Sequence, residues 1–306
     1  MLSAKPWKAD AIIRLGLSVL VCVYAGSLLV SASHYAGGGE RAANQTLFYA
    51  LAGIALICLG VTLVLICGPW RLEAFGRRML VLLLCGYGGM FVGAWVQHKV
   101  ALGANDVSIW RIVAATVSFQ GASLILIARF LREQRMTWTE SFGLRNHRRL
   151  AVLLGVLGAV LFVPVGWGLQ QASALVMTHL PHLQMEPQEQ LPIQALRISV
   201  SWGGRAALGA AAILLAPVAE EMLFRGILYL AIKQAGFPRL AVWGTSLLFA
   251  AIHLNLVTFV PLTVLALVLT ALYERADNLL APIAAHVVFN ALNFGLLLFL
   301  EQSGGL

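Results

Sequence analysis

Charge is what this 306-residue chain has least of. Asp, Glu, Lys and Arg make up 11% of it, while the residues AVILMFWYC make up 60%. Soluble domains run near 45–50% apolar and about 25% charged. The chain therefore lacks the polar residues to coat a water-soluble globule of its length. The same figures exclude a disordered chain, which needs low hydrophobicity. Cysteine is scarce too. Cys22, Cys58, Cys67 and Cys85 all lie in apolar stretches, with no CxxC pair and no Cys/His cluster, which excludes a disulfide scaffold. There is no internal repeat, and the inverted halves found in many transporters are not visible. No nucleic-acid-binding motif accompanies the formal net charge of +8, and no nucleic-acid partner is expected.

What the chain does have is long apolar runs. A membrane-spanning helix needs about 20 mostly apolar residues. Candidate spans lie near residues 12–33, 46–67, 79–97, 108–130, 150–177, 206–232, 240–257, 259–274 and 279–300. The seventh and eighth are short and almost continuous, so they read either as a tight hairpin or as a partly re-entrant pair. The expectation is an all-α polytopic membrane protein of about nine transmembrane helices, or eight if that pair counts once. The first span is too long for a signal-peptide core and is read as a retained helix. With a cytoplasmic N-terminus, sixteen of the 21 basic residues fall on the cytoplasmic side, leaving Arg41, Lys99, Arg111, Arg197 and Arg205 outside. This is the bias that sets membrane orientation. The lipid bilayer thus accounts for the positive charge.

The chain divides into three parts. Residues 1–130 form an N-terminal four-helix region without a recognisable motif. Residues 131–149 are a basic cytoplasmic linker, and residues 150–306 carry the remaining spans.

Ionisable residues inside spans are costly and point to function. Here they concentrate in the last third. The sixth span carries adjacent Glu220 and Glu221, followed by Arg225. Glu221 and Arg225 are i and i+4 and share a helix face, which makes them a natural ion pair. Glu220 points about 100° away and is left to face something else. The seventh span carries His253, and the ninth carries His286 and Asn290, again i and i+4. A lone histidine in an apolar helix is more often a packing residue, and a Glu pair can mark a helix end at the interface. The whole set in one third of the chain outweighs those readings. At 1.5 Å of rise per residue, Glu220, His253, His286 and Asn290 lie about 16–22 Å from their nearest cytoplasmic anchors, Lys233, Arg239 and Arg275. They are expected to meet near the bilayer midplane. A carboxylate beside an imidazole can hold and deprotonate water, and a second histidine with an amide can stabilise an oxyanion. That chemistry is acyl hydrolysis with water as the nucleophile.

These residues also match known motifs. Glu220 to Arg225 reads EExxxR, Phe249 and His253 read FxxxH, and His286 and Asn290 read HxxxN. In this order, on successive apolar helices, the triple resembles the CPBP family, also called the CAAX-protease or Abi family, of glutamate-type intramembrane proteases that includes the Rce1-type endopeptidases. The resemblance covers about residues 205–300. It places the catalytic core in the last four spans. It implies that Glu220 activates water with His253, that His286 and Asn290 form the oxyanion site, and that Glu221, Arg225 and Phe249 support them. The implied substrate is a membrane-tethered protein or peptide, such as a CAAX-like tail, a sorting tail or a leader, with oligomeric state left open. No cofactor is expected. HExxH is absent, and a zinc site of Glu220, His253 and His286 is the metal alternative. Rival readings are a proton-coupled transporter and a non-catalytic scaffold or immunity protein on the same fold. The short-looped, Ala/Gly-rich character points to a bacterial cytoplasmic membrane.

The orientation has a direct check. A reporter fused within residues 131–149 should read as cytoplasmic, and one within 182–196 as external. The opposite pattern would invert the topology and remove the depth argument.

Overall fold

The computed structural model describes residues 5–36, 109–179, 190–198 and 202–302. Among these residues the secondary structure is helical, with no strand. The elements are α1 (Ala9–Ala36), α2 (Ile109–Glu133), a single turn α3 (Trp138–Ser141), α4 (Arg148–His179), α5 (Leu191–Ile198), α6 (Trp202–Gln234), α7 (Pro238–Ala251), α8 (Leu256–Ala276) and α9 (Leu280–Gln302). Four described helices, α4, α6, α8 and α9, are long and apolar enough to cross a membrane. The expected spans at 46–67 and 79–97 lie outside the described residues. Residues Lys8–Phe130 form one compact unit; Met1–Trp7 and Leu131–Leu306 form another.

In the first unit, α1 buries Ala11, Leu15 and Val19, spaced for one helix face, and Ser18 Oγ donates to the Arg14 carbonyl at 2.7 Å. The second unit holds the motifs. There α4 packs along α8 and α9. Its buried residues Ala151, Gly155, Ala159, Phe162, Val163 and Gly166 form one stripe, while Leu153, Leu157, Val160 and Leu161 on the far side are exposed. An apolar exposed face suits a helix in lipid, where small residues mark the helix–helix seam. Gly155 is such a contact: a Cβ there would stand 2.9 Å from the Ala284 side chain of α9. Ala159 and Phe162 of α4, Leu265 and Leu269 of α8 and Ala285 of α9 then close a shared core.

The seventh expected span, 240–257, differs. Helix α7 is 14 residues long, about 21 Å at 1.5 Å per residue, and does not cross a hydrocarbon core of about 30 Å by itself. Pro238 starts it, as proline commonly does. The physical reason for its early end is Asn255, whose side chain accepts from the Thr258 backbone N–H at 3.0 Å and starts α8 anew. An asparagine there favours a helix N-cap over continuation of the apolar run. His253 therefore lies in the turn after α7, not within a spanning helix.

The turn between α8 and α9 is fixed from both sides. Asp277 takes a left-handed conformation (φ 46°) that closes α8, and the buried Asn278 accepts from the Leu280 N–H at 2.8 Å to open α9. The same Asn278 amide donates to the Asn146 carbonyl in the linker. Lys5 Nζ donates to the Glu140 carbonyl at 2.6 Å, within the same unit. Burial lowers the Lys5 pKa, against the pull of Asp277 and Glu140. Asn278→Ala removes both a helix cap and a buried hydrogen bond, a loss of about 1–3 kcal/mol. Thermal unfolding of the purified protein in detergent should show that loss; a variant as stable as the parent would deny Asn278 its role in the turn.

Candidate active site

The site is built on α6, α9 and the turn after α7. Helix α6 is not uniform. It passes through π-helical stretches at Ala211–Leu215 and Met222–Tyr229, with ordinary helix at Ala216–Glu221 between them. Such stretches re-register the backbone ladder and are frequent at functional sites. Glu220 and Glu221 stand at the end of the middle segment, and Arg225 follows within the second π stretch.

Glu221 is wholly buried and occupies the centre. Arg225 Nη1 donates to its Oε1 at 2.8 Å, and His286 Nδ1 meets the same oxygen at 2.9 Å. Arg225 is equally buried. Its Nη2 donates to the Ala266 carbonyl of α8 at 3.1 Å, and its guanidinium lies over the Phe249 ring at 4.7 Å. Such a cation–π contact gains strength where water is excluded. One carboxylate thus joins α6 to α9, and its arginine joins α6 to α7 and α8.

That contact sets the state of His286. A carboxylate paired with arginine only accepts, so Nδ1 carries the proton and Nε2 is the other face of the ring. Nε2 points at Glu220, whose Oε2 stands 3.9 Å away. The distance is too long for a hydrogen bond. The imidazole is therefore flanked by both carboxylates, gripped by one and facing the other. The side chain of Glu220 is 15% exposed and that of Glu221 is 0% exposed, so only Glu220 can be reached by water and substrate.

His253 is set differently. Its Nδ1 lies 2.7 Å from the Phe249 carbonyl, one of the last carbonyls of α7 that the helix leaves unused. A carbonyl only accepts, so Nδ1 donates and Nε2 is left as the acceptor. Phe249, fully buried, stands between the histidines, with ring centroids 5.0 Å from His253 and 5.7 Å from His286. Phe224 meets it edge-on at 5.3 Å. Phe249 thus packs against both imidazoles. Asn290 Nδ2 donates to the Ala212 carbonyl at 2.8 Å, in the first π stretch. One of its two N–H groups is committed there and one remains.

Of the four expected site positions, Glu220 and His286 face each other across 3.9 Å, Asn290 reaches the first π stretch of α6, and His253 contacts Phe249, while Glu221 and Phe249 contact His286 and Arg225. Among the described residues no three His, Cys, Asp or Glu side chains are grouped to hold a metal ion. Sequence reading missed the Glu221–His286 bond and the backbone partners Ala212, Ala266 and Phe249, because spacing along one helix says nothing of contacts between helices.

This segment has a family match. Residues 202–292 match the family model described as type II CAAX prenyl endopeptidase Rce1-like. The match spans α6, α7, α8 and α9 as far as Leu292, and so contains every residue of the site. The Rce1-like family is one of CAAX-type membrane proteases, and the present chain is an integral membrane protein. An uncharacterized protein of Bacillus subtilis (strain 168), YpbD, is 36% identical over 82 residues, 26% of this chain. The chain spans 39% of the length of that curated relative. No solved structure matches the chain.

The unequal burial of the two glutamates predicts unequal variants. Glu221→Gln leaves the buried Arg225 without its counter-charge. Breaking a buried pair from one side costs about 3–5 kcal/mol, so folded yield in detergent should fall. Glu220→Gln should fold like the parent. Equal yields would show that Glu221 is not the structural centre.

Proposed function

We propose that the protein is an intramembrane endopeptidase that hydrolyses a peptide bond of a membrane-tethered substrate, using water activated by Glu220. The observation that carries this reading is the pairing of one reachable carboxylate with one gripped imidazole, Glu220 opposite His286 Nε2 at 3.9 Å, inside the Rce1-like segment. Glu220 takes a proton from water as the oxygen attacks the carbonyl carbon. His253, with Nε2 as acceptor, holds and orients that water. The carbonyl oxygen becomes an oxyanion. The remaining Asn290 N–H stabilises it, joined by the Nε2–H of His286 in its imidazolium form, which keeps its Nδ1–H on Glu221, and donors of this kind are worth about 10²–10³ in rate. The carbon–nitrogen bond then breaks, and the proton held by Glu220 passes to the leaving nitrogen. Glu221 acts through His286, holding Nδ1 so that Nε2 faces the reaction.

The substrate class proposed is a C-terminal CAAX-like tail, a sorting tail or a leader segment held at the membrane, with the scissile bond brought to a site at membrane depth. No metal takes part in this scheme, since Glu220 and the two histidines each have a separate role.

Purified full-length protein in lipid nanodiscs, offered a panel of lipidated and unlipidated tail peptides, should cleave at least one. Glu220→Gln should lower cleavage by about 10²–10⁴, the scale of a lost general base, and strong chelators should leave the parent activity intact. Activity that vanishes on chelation and returns with zinc would convert Glu220 and the histidines to metal ligands. Normal cleavage by Glu220→Gln would remove it from the reaction.

A further inference from the structure

The basic linker does more than connect. Its Phe142 is fully buried, and it meets the two helices of the site at a single point. The Phe142 carbonyl accepts from the Leu279 N–H at 3.0 Å, immediately before α9. Its ring lies against Gly226, the residue after Arg225 on α6. A Cβ on Gly226 would stand 2.6 Å from Phe142 Cε1, 2.8 Å from Cδ1 and 3.5 Å from Leu279 Cδ2. The next residue, Gly143, has φ +65° and its α-carbon faces the Asp277 carbonyl too closely for any side chain. Asn278 then ties the same turn to Asn146. Linker, α6 and the start of α9 are thus pinned together.

The pin lies close to the Glu221–His286 contact. Gly226 is five residues from Glu221 along α6, and Leu279 is seven residues from His286, about 10.5 Å. Over one or two turns a packed helix moves as a rigid rod, so the spacing at Gly226 is inherited at Glu221. We propose that Phe142 is a positioning residue of the active site: it sets the separation of α6 and α9 and thereby the bond that orients His286. This rests on the function proposed above for its catalytic consequence, while the geometric consequence stands apart from it.

Magnitudes make the proposal testable. In Gly226→Ala the new Cβ meets Phe142 at 2.6 Å, against an ordinary contact of 3.4 Å or more, so about 0.8 Å must be found. Taken up between α6 and α9, that lengthens the 2.9 Å Glu221–His286 contact to about 3.7 Å, past hydrogen-bond range. Phe142→Val removes both clashing ring atoms and should relieve it.

The experiment uses full-length protein in nanodiscs with ¹⁵N-labelled histidine, the His286 ring assigned with a His286→Gln control. In Gly226→Ala the His286 signal should leave its carboxylate-bound Nδ1–H position. Where cleavage is measurable, kcat should fall roughly 10-fold, the worth of one hydrogen bond to a charged group, with KM within about 2-fold. Adding Phe142→Val to Gly226→Ala should restore both readouts. Should Gly226→Ala fail to fold, Phe142→Val alone decides, because loosening the pin should shift or broaden the same signal. An unchanged His286 signal in either folded variant overturns the proposal, as does a Gly226→Ala defect that Phe142→Val does not relieve. A parent protein that cleaves nothing would count against the proposed function only, since the His286 signal still decides the role of Phe142.

Discussion

A carboxylate buried among membrane helices needs a counter-charge, and Glu221 has one in Arg225, four residues on along α6. An uncompensated buried charge would cost several kcal/mol. The pair is then large enough to hold other elements. Through His286 it reaches α9, through the Ala266 carbonyl it reaches α8, and through the face of Phe249 it reaches α7. The ion pair alone adds little net stability, because desolvation offsets most of the attraction. Its effect is to make one arrangement of four helices far better than its neighbours, since any other strands a charge.

The backbone around the site is irregular, and the polar groups it frees need partners. Non-helical backbone at membrane depth survives only where protein or a polar cavity satisfies it. The side chains of the site do this themselves. Asn290 takes the Ala212 carbonyl in the first π stretch, and His253 takes the Phe249 carbonyl at the end of the short α7. Under the proposed function, structural and chemical duties fall on the same residues. The commitment of one side of each group leaves the other side oriented: Nε2 of each histidine and the second N–H of Asn290. Preorganisation of this kind spares the reaction the cost of reorienting dipoles.

The division between Glu220 and Glu221 is the clearest consequence of this economy. Two neighbouring residues of identical chemistry are separated by about 100° of helix rotation. One faces the packed centre and is used up by Arg225 and His286; the other faces His286 Nε2 across 3.9 Å and retains access to water. The Rce1-like match covers both, and burial is what distinguishes them: Glu221 is enclosed and Glu220 is partly exposed.

Much of this was legible in the sequence. The excess of apolar residues required a membrane protein, because too few polar residues exist to solvate a globule. The i, i+4 spacing of Glu221 with Arg225, and of His286 with Asn290, placed each pair on one face by helix geometry alone. The EExxxR, FxxxH and HxxxN order pointed to the candidate site. What the tertiary structure decided are contacts between segments distant along the chain, for which one sequence holds no periodic signal. Spacing could not show that His286 is gripped by Glu221, that Asn255 halts the seventh apolar run so that His253 lies in a turn, or that Phe142 seats against Gly226. Apolar periodicity reports which residues avoid water, and in a membrane bundle nearly all of them do. Only packing then selects which buried faces meet.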